Sequence, residues 1–134
     1  MQDIRIAAAQ FEARDRDKDY NFSQIEALAH RAVDDGAQIV SFHECCICGY
    51  SFLQELSREE IAELAEPVPD GPSTRRLEEL SKKLKVPLLA GLVESDGDKL
   101  YNTYLHCTKV EYGISNNLSR PMIGNKPASL NFVN

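Results

Sequence analysis

The chain lacks any apolar run approaching the length needed to cross a bilayer, and its opening "MQDIRIAAAQ" carries charges where a secretory leader needs an apolar stretch. These absences predict a cytoplasmic protein that makes no use of a membrane. It also lacks a basic run interleaved with aromatic residues. Aromatics are 7% of the chain and the formal net charge is -6, which argues against a nucleic-acid partner and leaves small molecules or proteins. Cysteines number four, and in a cytoplasmic chain they are reduced thiols rather than a disulfide framework. What is present is a folding composition. With 134 residues, 43% hydrophobic and 27% charged, the chain fits one domain able to bury a core without staples.

Hydrophobic periodicity predicts a short buried strand at Ile4–Phe11, ended by the polar run "EARDRDKD". From Asn21 the apolar positions Phe22, Ile25, Leu28, Ala29, Ala32 and Val33 recur at helical spacing, with Asn21 and Gln24 as a capping box and Gly36 as a stop. "AQIVSFHE" then reads as a second buried strand with Glu44 at its carboxyl end, which completes a strand, helix, strand unit. Ser57 to Glu60 forms a capping box that opens a short helix carrying Ile61 and Leu64 inward, before "EPVPDGPS" breaks it. Ser73 can cap a third helix whose inward face is Leu77, Leu80 and Leu84 and whose cationic end is Lys82, Lys83 and Lys85. "VPLLAGLVE" and "KLYNTYLHCT" are two strands joined through Ser95-Asp96-Gly97-Asp98, where Asp-Gly favours a type I' hairpin turn.

The pattern changes near Val110. Residues 111–134 hold five of the seven asparagines and one of the 21 acidic residues, without helical or strand periodicity. Residues 1–110 therefore form the main unit, and 111–134 an atypical, irregular tail.

The stretch "HECCICGY", residues 43–50, invites four readings. Cys45 and Cys48 make a C-x-x-C that His106 and Cys107 could complete as a zinc site, although neighbours on a strand point to opposite faces. A thioredoxin-like redox pair would need a helix N-terminus directly after it, and no cap occurs before Ser57. Buried cysteine as a small apolar filler is the third reading. The fourth centres on Glu44. A carboxylate at the end of an apolar strand, where open strand-helix sheets bind ligands, belongs in or beside a pocket and is a candidate general base; a strand-end salt bridge or cap is its plainer role. His43 faces the opposite side of the strand and suits a hydrogen-bonded structural role, and Tyr101-Asn102-Thr103 can hydrogen-bond near the same sheet end.

Taken together, "IRIAAAQFEAR", "NFSQIEALAHRAVDDGAQIVSFHE", "GYSF", "GPSTRRLEELSKKLKVPLLAGLVE" and "KLYNTY" occur in order from residue 4 to about residue 108. This order and spacing resemble the carbon-nitrogen hydrolase family, the nitrilase superfamily, and its amidase-type members in particular. The resemblance implies an α/β fold, here a partial α-β-β-α sandwich comprising the N-terminal half of the nitrilase-type fold. It also implies a Glu-Lys-Cys triad acting through a thioester on a small amide or nitrile, with no cofactor and no metal ion.

Glu44 matches the family's first glutamate, ahead of Gly49-Tyr50. The lysine and cysteine do not carry over. Neither Lys109 nor Lys126 stands in the family context, Cys45, Cys46 and Cys48 follow the glutamate too closely to be the nucleophile, and Cys107 lies within a strand. "YGISNNLSR" is similar to the segment around the family's nucleophile without its cysteine, as an internal deletion would leave it. The expectation is a truncated hydrolase, inactive as a lone chain. Half a sandwich leaves sheet edges and an apolar face open, so a homo-oligomer or a non-catalytic interaction remnant is the alternative expectation. A cysteine-rich metal or thiol module is a further one.

Overall fold

The structure is a computed structural model and describes residues 3–108, together with the backbone of 118–123 and 126–127. Its elements in chain order are β1 (Ile6–Ala9), α1 (Lys18–Asp34), β2 (Ile39–Phe42), a 3-10 turn (Ser51–Glu55), α2 (Arg58–Leu64), α3 (Pro72–Leu84), β3 (Leu88–Asp96), β4 (Lys99–Cys107), β5 (Leu118–Ile123) and β6 (Lys126–Pro127). The six strands lie in sequence order in one sheet. β1, β2 and β3 run parallel, and β3 to β6 continue antiparallel. No helix among the described residues is long and apolar enough to cross a membrane. Within 111–134 the described residues are the two strands β5 and β6; the rest of the tail, including most of "YGISNNLSR", lies outside the described residues.

Helices α1 and α3 cover one face of the sheet. Phe22, Ile25 and Ala29 from α1 and Leu77 and Leu80 from α3 pack on Val40, Phe42, Leu88, Ala90, Leu92, Leu105 and Cys107, with Leu84 at the margin. Burial of each Phe, Ile, Leu or Val side chain among these contributes roughly 1.5–3 kcal/mol. The opposite face is covered over Val93 and Leu100 by Cys45, Cys48, Leu53, Leu56, Ile61 and Leu64. Beyond that patch, Leu89, Tyr104 and His106 on the same face are only partly buried among the described residues. Ile6 is 60% exposed, so β1 is an edge strand with one bare side rather than the buried strand expected, because nothing described packs on its Ile6 and Ala8 side.

Several local expectations shift for identifiable reasons. Helix α1 starts one turn early, capped by Asp17, whose carboxylate accepts from the Tyr20 amide at 2.9 Å. Asn21 is instead fully buried, accepting from the Arg14 amide and donating to the Arg14 and Ile47 carbonyls at 2.8–3.0 Å. The Ser57 capping box forms as expected, with Ser57 Oγ accepting from the Glu60 amide and Glu60 Oε2 from the Ser57 amide. In the hairpin, Asp96 pairs with Lys99, leaving Gly97 and Asp98 as the loop; only Gly97 has positive φ, the pattern of a type II' rather than a type I' turn.

Ser73 does not cap α3 with its own side chain. Gly71 is the N-cap, Pro72 opens the first turn, and the buried carboxylate of Glu66 takes the orphan donors: Ser73 N at 2.8 Å and Ser73 Oγ at 2.5 Å. Lys18 Nζ completes the cluster, 2.6 Å from Glu66 Oε2 and 2.8 Å from the Leu64 carbonyl. This ties the starts of α1 and α3 to the end of α2. Desolvation alone would raise the Glu66 pKa, but the bonds from Lys18 and Ser73 outweigh it and hold the carboxyl below its ordinary value. The linked stability is therefore fully present above the unfolded-state pKa of about 4.3 and is lost as pH falls through the depressed folded value. Glu66→Gln is expected to cost about 2 kcal/mol at pH 7, as loss of hydrogen bonds to a charged group does. Chemical denaturation over a pH series should show the gap to the unsubstituted chain closing below about pH 4.3; a gap independent of pH would contradict the assignment.

Candidate active site

Strand β2 stops at Phe42, two residues short of the expected end, because the chain turns sharply to cross the sheet. The amides of Cys48 and Gly49 both donate to the Cys45 carbonyl, at 3.2 and 2.9 Å, and Cys45 itself takes a left-handed conformation with φ 49°. Gly49 has φ +94°, and a Cβ there would lie 2.7 Å from Asp15 Oδ1, so the glycine of "GY" is needed for both conformation and space. The crossing passes directly over β3 at Gly91. A Cβ on Gly91 would sit 2.3 Å from the Cys45 nitrogen and 3.0 Å from Glu44 Cα, and the Ile47 amide donates to the Gly91 carbonyl at 3.2 Å.

Glu44 is thereby held half-buried beside β4, on the face away from α1 and α3. The Asn102 side-chain amide donates to Glu44 Oε1, and the Asn102 carbonyl oxygen accepts from the Cys45 thiol at 3.4 Å. No other hydrogen bond to the Glu44 carboxylate forms among the described residues, so the salt-bridge and cap roles are unfilled there. Tyr50 stands near enough to sense it: burial and then the Glu44 charge push its phenol above the ordinary value. His43 bonds through Nδ1 to the Glu44 carbonyl oxygen at 3.3 Å and packs against the Phe11 ring at 5.0 Å, while its buried Nε2 has no partner among the described residues.

The crossing sends the cysteines to different sides. Cys45 and Cys48 enter the cluster over Val93, whereas Cys46 joins the helix-covered core with Cys107. His106 pairs opposite Leu89 on the other face from Cys107, and no group of three or more His, Cys, Asp and Glu among the described residues is placed to hold a metal ion. Burial pushes the Cys46 and Cys107 thiols up to about 12. The hydrogen bond with Cys48, burial and the adjacent Glu44 charge push Cys45 up as well. Cys48 is the exception: its bond with Cys45 and the Lys18 charge hold its thiol below the ordinary value against burial. All four cysteines are buried. The C-x-x-C is followed by the short 3-10 turn Ser51–Glu55, and the first α-helix begins only at Arg58, so the pair does not sit at an α-helix N-terminus as a thioredoxin-like pair does.

In the sequence Asn102 stood out only within Tyr101-Asn102-Thr103, able to hydrogen-bond near the sheet end or simply to pair in a strand; what singles it out is its place two pairs beyond Gly91 in the β3–β4 register, opposite Val93. Glu66 was read as part of a breaker, although an acid just ahead of a Gly-Pro-Ser helix start matches the helix dipole. Two surface grooves lie away from Glu44. One of about 250 Å³ lies between α1 and α3 at Phe22 and Arg76, and one of about 400 Å³ follows the free edge of β1 beside Leu28 and Arg31.

Comparison with known proteins matches the same stretch of chain. The family described as Carbon-nitrogen hydrolase matches residues 5–112. A nitrilase of Pyrococcus abyssi is 35% identical over 100 residues, covering 75% of this chain and 37% of the relative. Omega-amidase NIT2 of Mus musculus is 33% identical over 104 residues, covering 77% and 35%. The chain thus spans little more than a third of these relatives' lengths. Among solved structures, XC1258 from Xanthomonas campestris, a CN-hydrolase superfamily protein, superposes with TM-score 0.73 at 22% identity over 90% of this chain and 41% of its own. Nit3 of Saccharomyces cerevisiae, a nitrilase-superfamily member, superposes with TM-score 0.70 at 23% identity over 87% and 44%. The structural matches carry the partial nitrilase-type α/β sandwich, and with the match over residues 5–112 they make this chain a member of the carbon-nitrogen hydrolase family.

Proposed function

We propose that this chain supplies the general base, Glu44, of a hydrolase acting on the C–N bond of a small amide or nitrile, and that alone it does not turn over. The observation that carries the reading is the state of the Glu44 carboxylate: one oxygen fixed by Asn102, the other unbonded among the described residues, at the end of a sheet. A general base needs a fixed carboxylate with a free lone pair. In the family's chemistry such a base takes the proton of a cysteine thiol as it attacks the substrate carbon, then that of the water that cleaves the thioester. All four thiols are buried, Cys48 included, so none is presented to a substrate, which supports a missing nucleophile. The names of the relatives, nitrilase and omega-amidase, support the substrate class. A cytoplasmic setting and self-association belong to the same reading, and the exposure of Ile4 and Ile6 favours the latter.

The test is complementation. The purified chain should not hydrolyse small amides or nitriles alone, and should do so when mixed with the remaining C-terminal part of a related hydrolase that brings the lysine and cysteine. Glu44→Gln should then lower the rate at least about a hundredfold, the usual loss for a general base. Hydrolysis by the lone chain that survives removal of all four cysteines would refute the missing nucleophile, and a complemented rate indifferent to Glu44→Gln would refute the base.

The charge of Glu44 can be read without turnover. Glu44→Gln should move the Tyr50 pKa downward toward about 10, because it removes an anion that disfavours tyrosinate while burial keeps part of the rise. The Tyr50 ring resonances followed against pH check this, and an unmoved midpoint would mean that the two groups do not sense each other.

A further inference from the structure

A carboxamide can face its neighbours in two ways, and here the neighbours decide. An ionised carboxylate only accepts, so the nitrogen end of Asn102 must face Glu44 Oε1 and its oxygen must face Cys45. That oxygen needs a donor. The Cys45 sulfur, 3.4 Å away and 1% exposed, is a donor only while it keeps its proton. The surroundings favour this: the Cys48 contact first, then burial and the Glu44 charge, all disfavour a thiolate. A directed chain results, from thiol to carboxamide to carboxylate, in which each bond polarises the next.

We propose that Asn102 and Cys45 are positioning residues for Glu44: the Cys45 thiol fixes the Asn102 carboxamide, and the carboxamide fixes Oε1 so that Oε2 is the oxygen left to accept a proton. Cys45 then has a task that filler does not have. Its left-handed backbone and the missing Cβ at Gly91 bring its sulfur and the Glu44 carboxylate to the same asparagine. The inference rests on Glu44 being the general base, but its test reads the hydrogen-bond chain and not turnover.

The test uses the full 134-residue chain labelled with ¹⁵N and follows the Asn102 side-chain amide. In the unaltered protein its exchange with water should be slowed about tenfold or more relative to free asparagine, as expected for a hydrogen bond to a charged group. Glu44→Ala should abolish the slowing, Cys45→Ser should keep it by replacing one donor with another, and Cys45→Ala should reduce it. Equal behaviour of Cys45→Ser and Cys45→Ala would reduce Cys45 to filler and overturn the proposal. Free exchange of the Asn102 amide in the unaltered chain would overturn it without any variant. An intact signature beside a complemented rate indifferent to Glu44→Gln would sink the general-base reading alone.

Discussion

Where residues 44 and 45 cross β3, two backbones lie so close that a methyl group on Gly91 would come within 2.3 Å of the Cys45 nitrogen. The rest of the sheet end is built on that contact. It lets the chain leave β2 toward the uncovered face, and the Ile47 amide then closes onto the Gly91 carbonyl. Cys46 and Ile47 enter the core under α1 and α3, while Cys45 and Cys48 roof Val93 on the other side. Glu44 is brought over β4 by the same step, within reach of Asn102. An alanine at residue 91 would have to push the crossing outward and move the carboxylate with it.

Two carboxylates on this molecule show how surroundings divide structural from chemical work. Glu66 is 6% exposed and filled, with one oxygen taking the Ser73 amide and the other taking Ser73 Oγ and Lys18 Nζ. Its charge is consumed in holding three helices together. Glu44 is half-buried and its carboxylate has a single hydrogen bond among the described residues, so one of its oxygens stays available there. A free lone pair beside a fixed one is what proton transfer requires.

The fold was legible where periodicity is strong. The helical faces Phe22, Ile25, Ala29 and Leu77, Leu80 pack as their spacing indicates, and Ser57 and Glu60 form the expected capping box, since these patterns are local. Glu44 was legible as a position, because a carboxylate ending an apolar run is rare enough to notice. What supports it was not. Asn102 and Gly91 meet Glu44 across 58 and 47 residues of sequence, through a register that no local pattern encodes. The Asp17 cap and the Glu66 cap were lost for a related reason: several polar residues near each helix start could serve, and tertiary contacts with Arg14, Ile47 and Lys18 decided between them.

The crossing itself can be measured by native-state amide exchange. The Ile47 amide, bonded to the Gly91 carbonyl at 3.2 Å, should exchange as slowly as the Val40 amide of β2, bonded to the Pro87 carbonyl at 3.1 Å. Exchange of Ile47 as fast as that of the exposed turn residue Gly97 would mean that the crossing does not form, and that Glu44 is not held where its chemistry needs it.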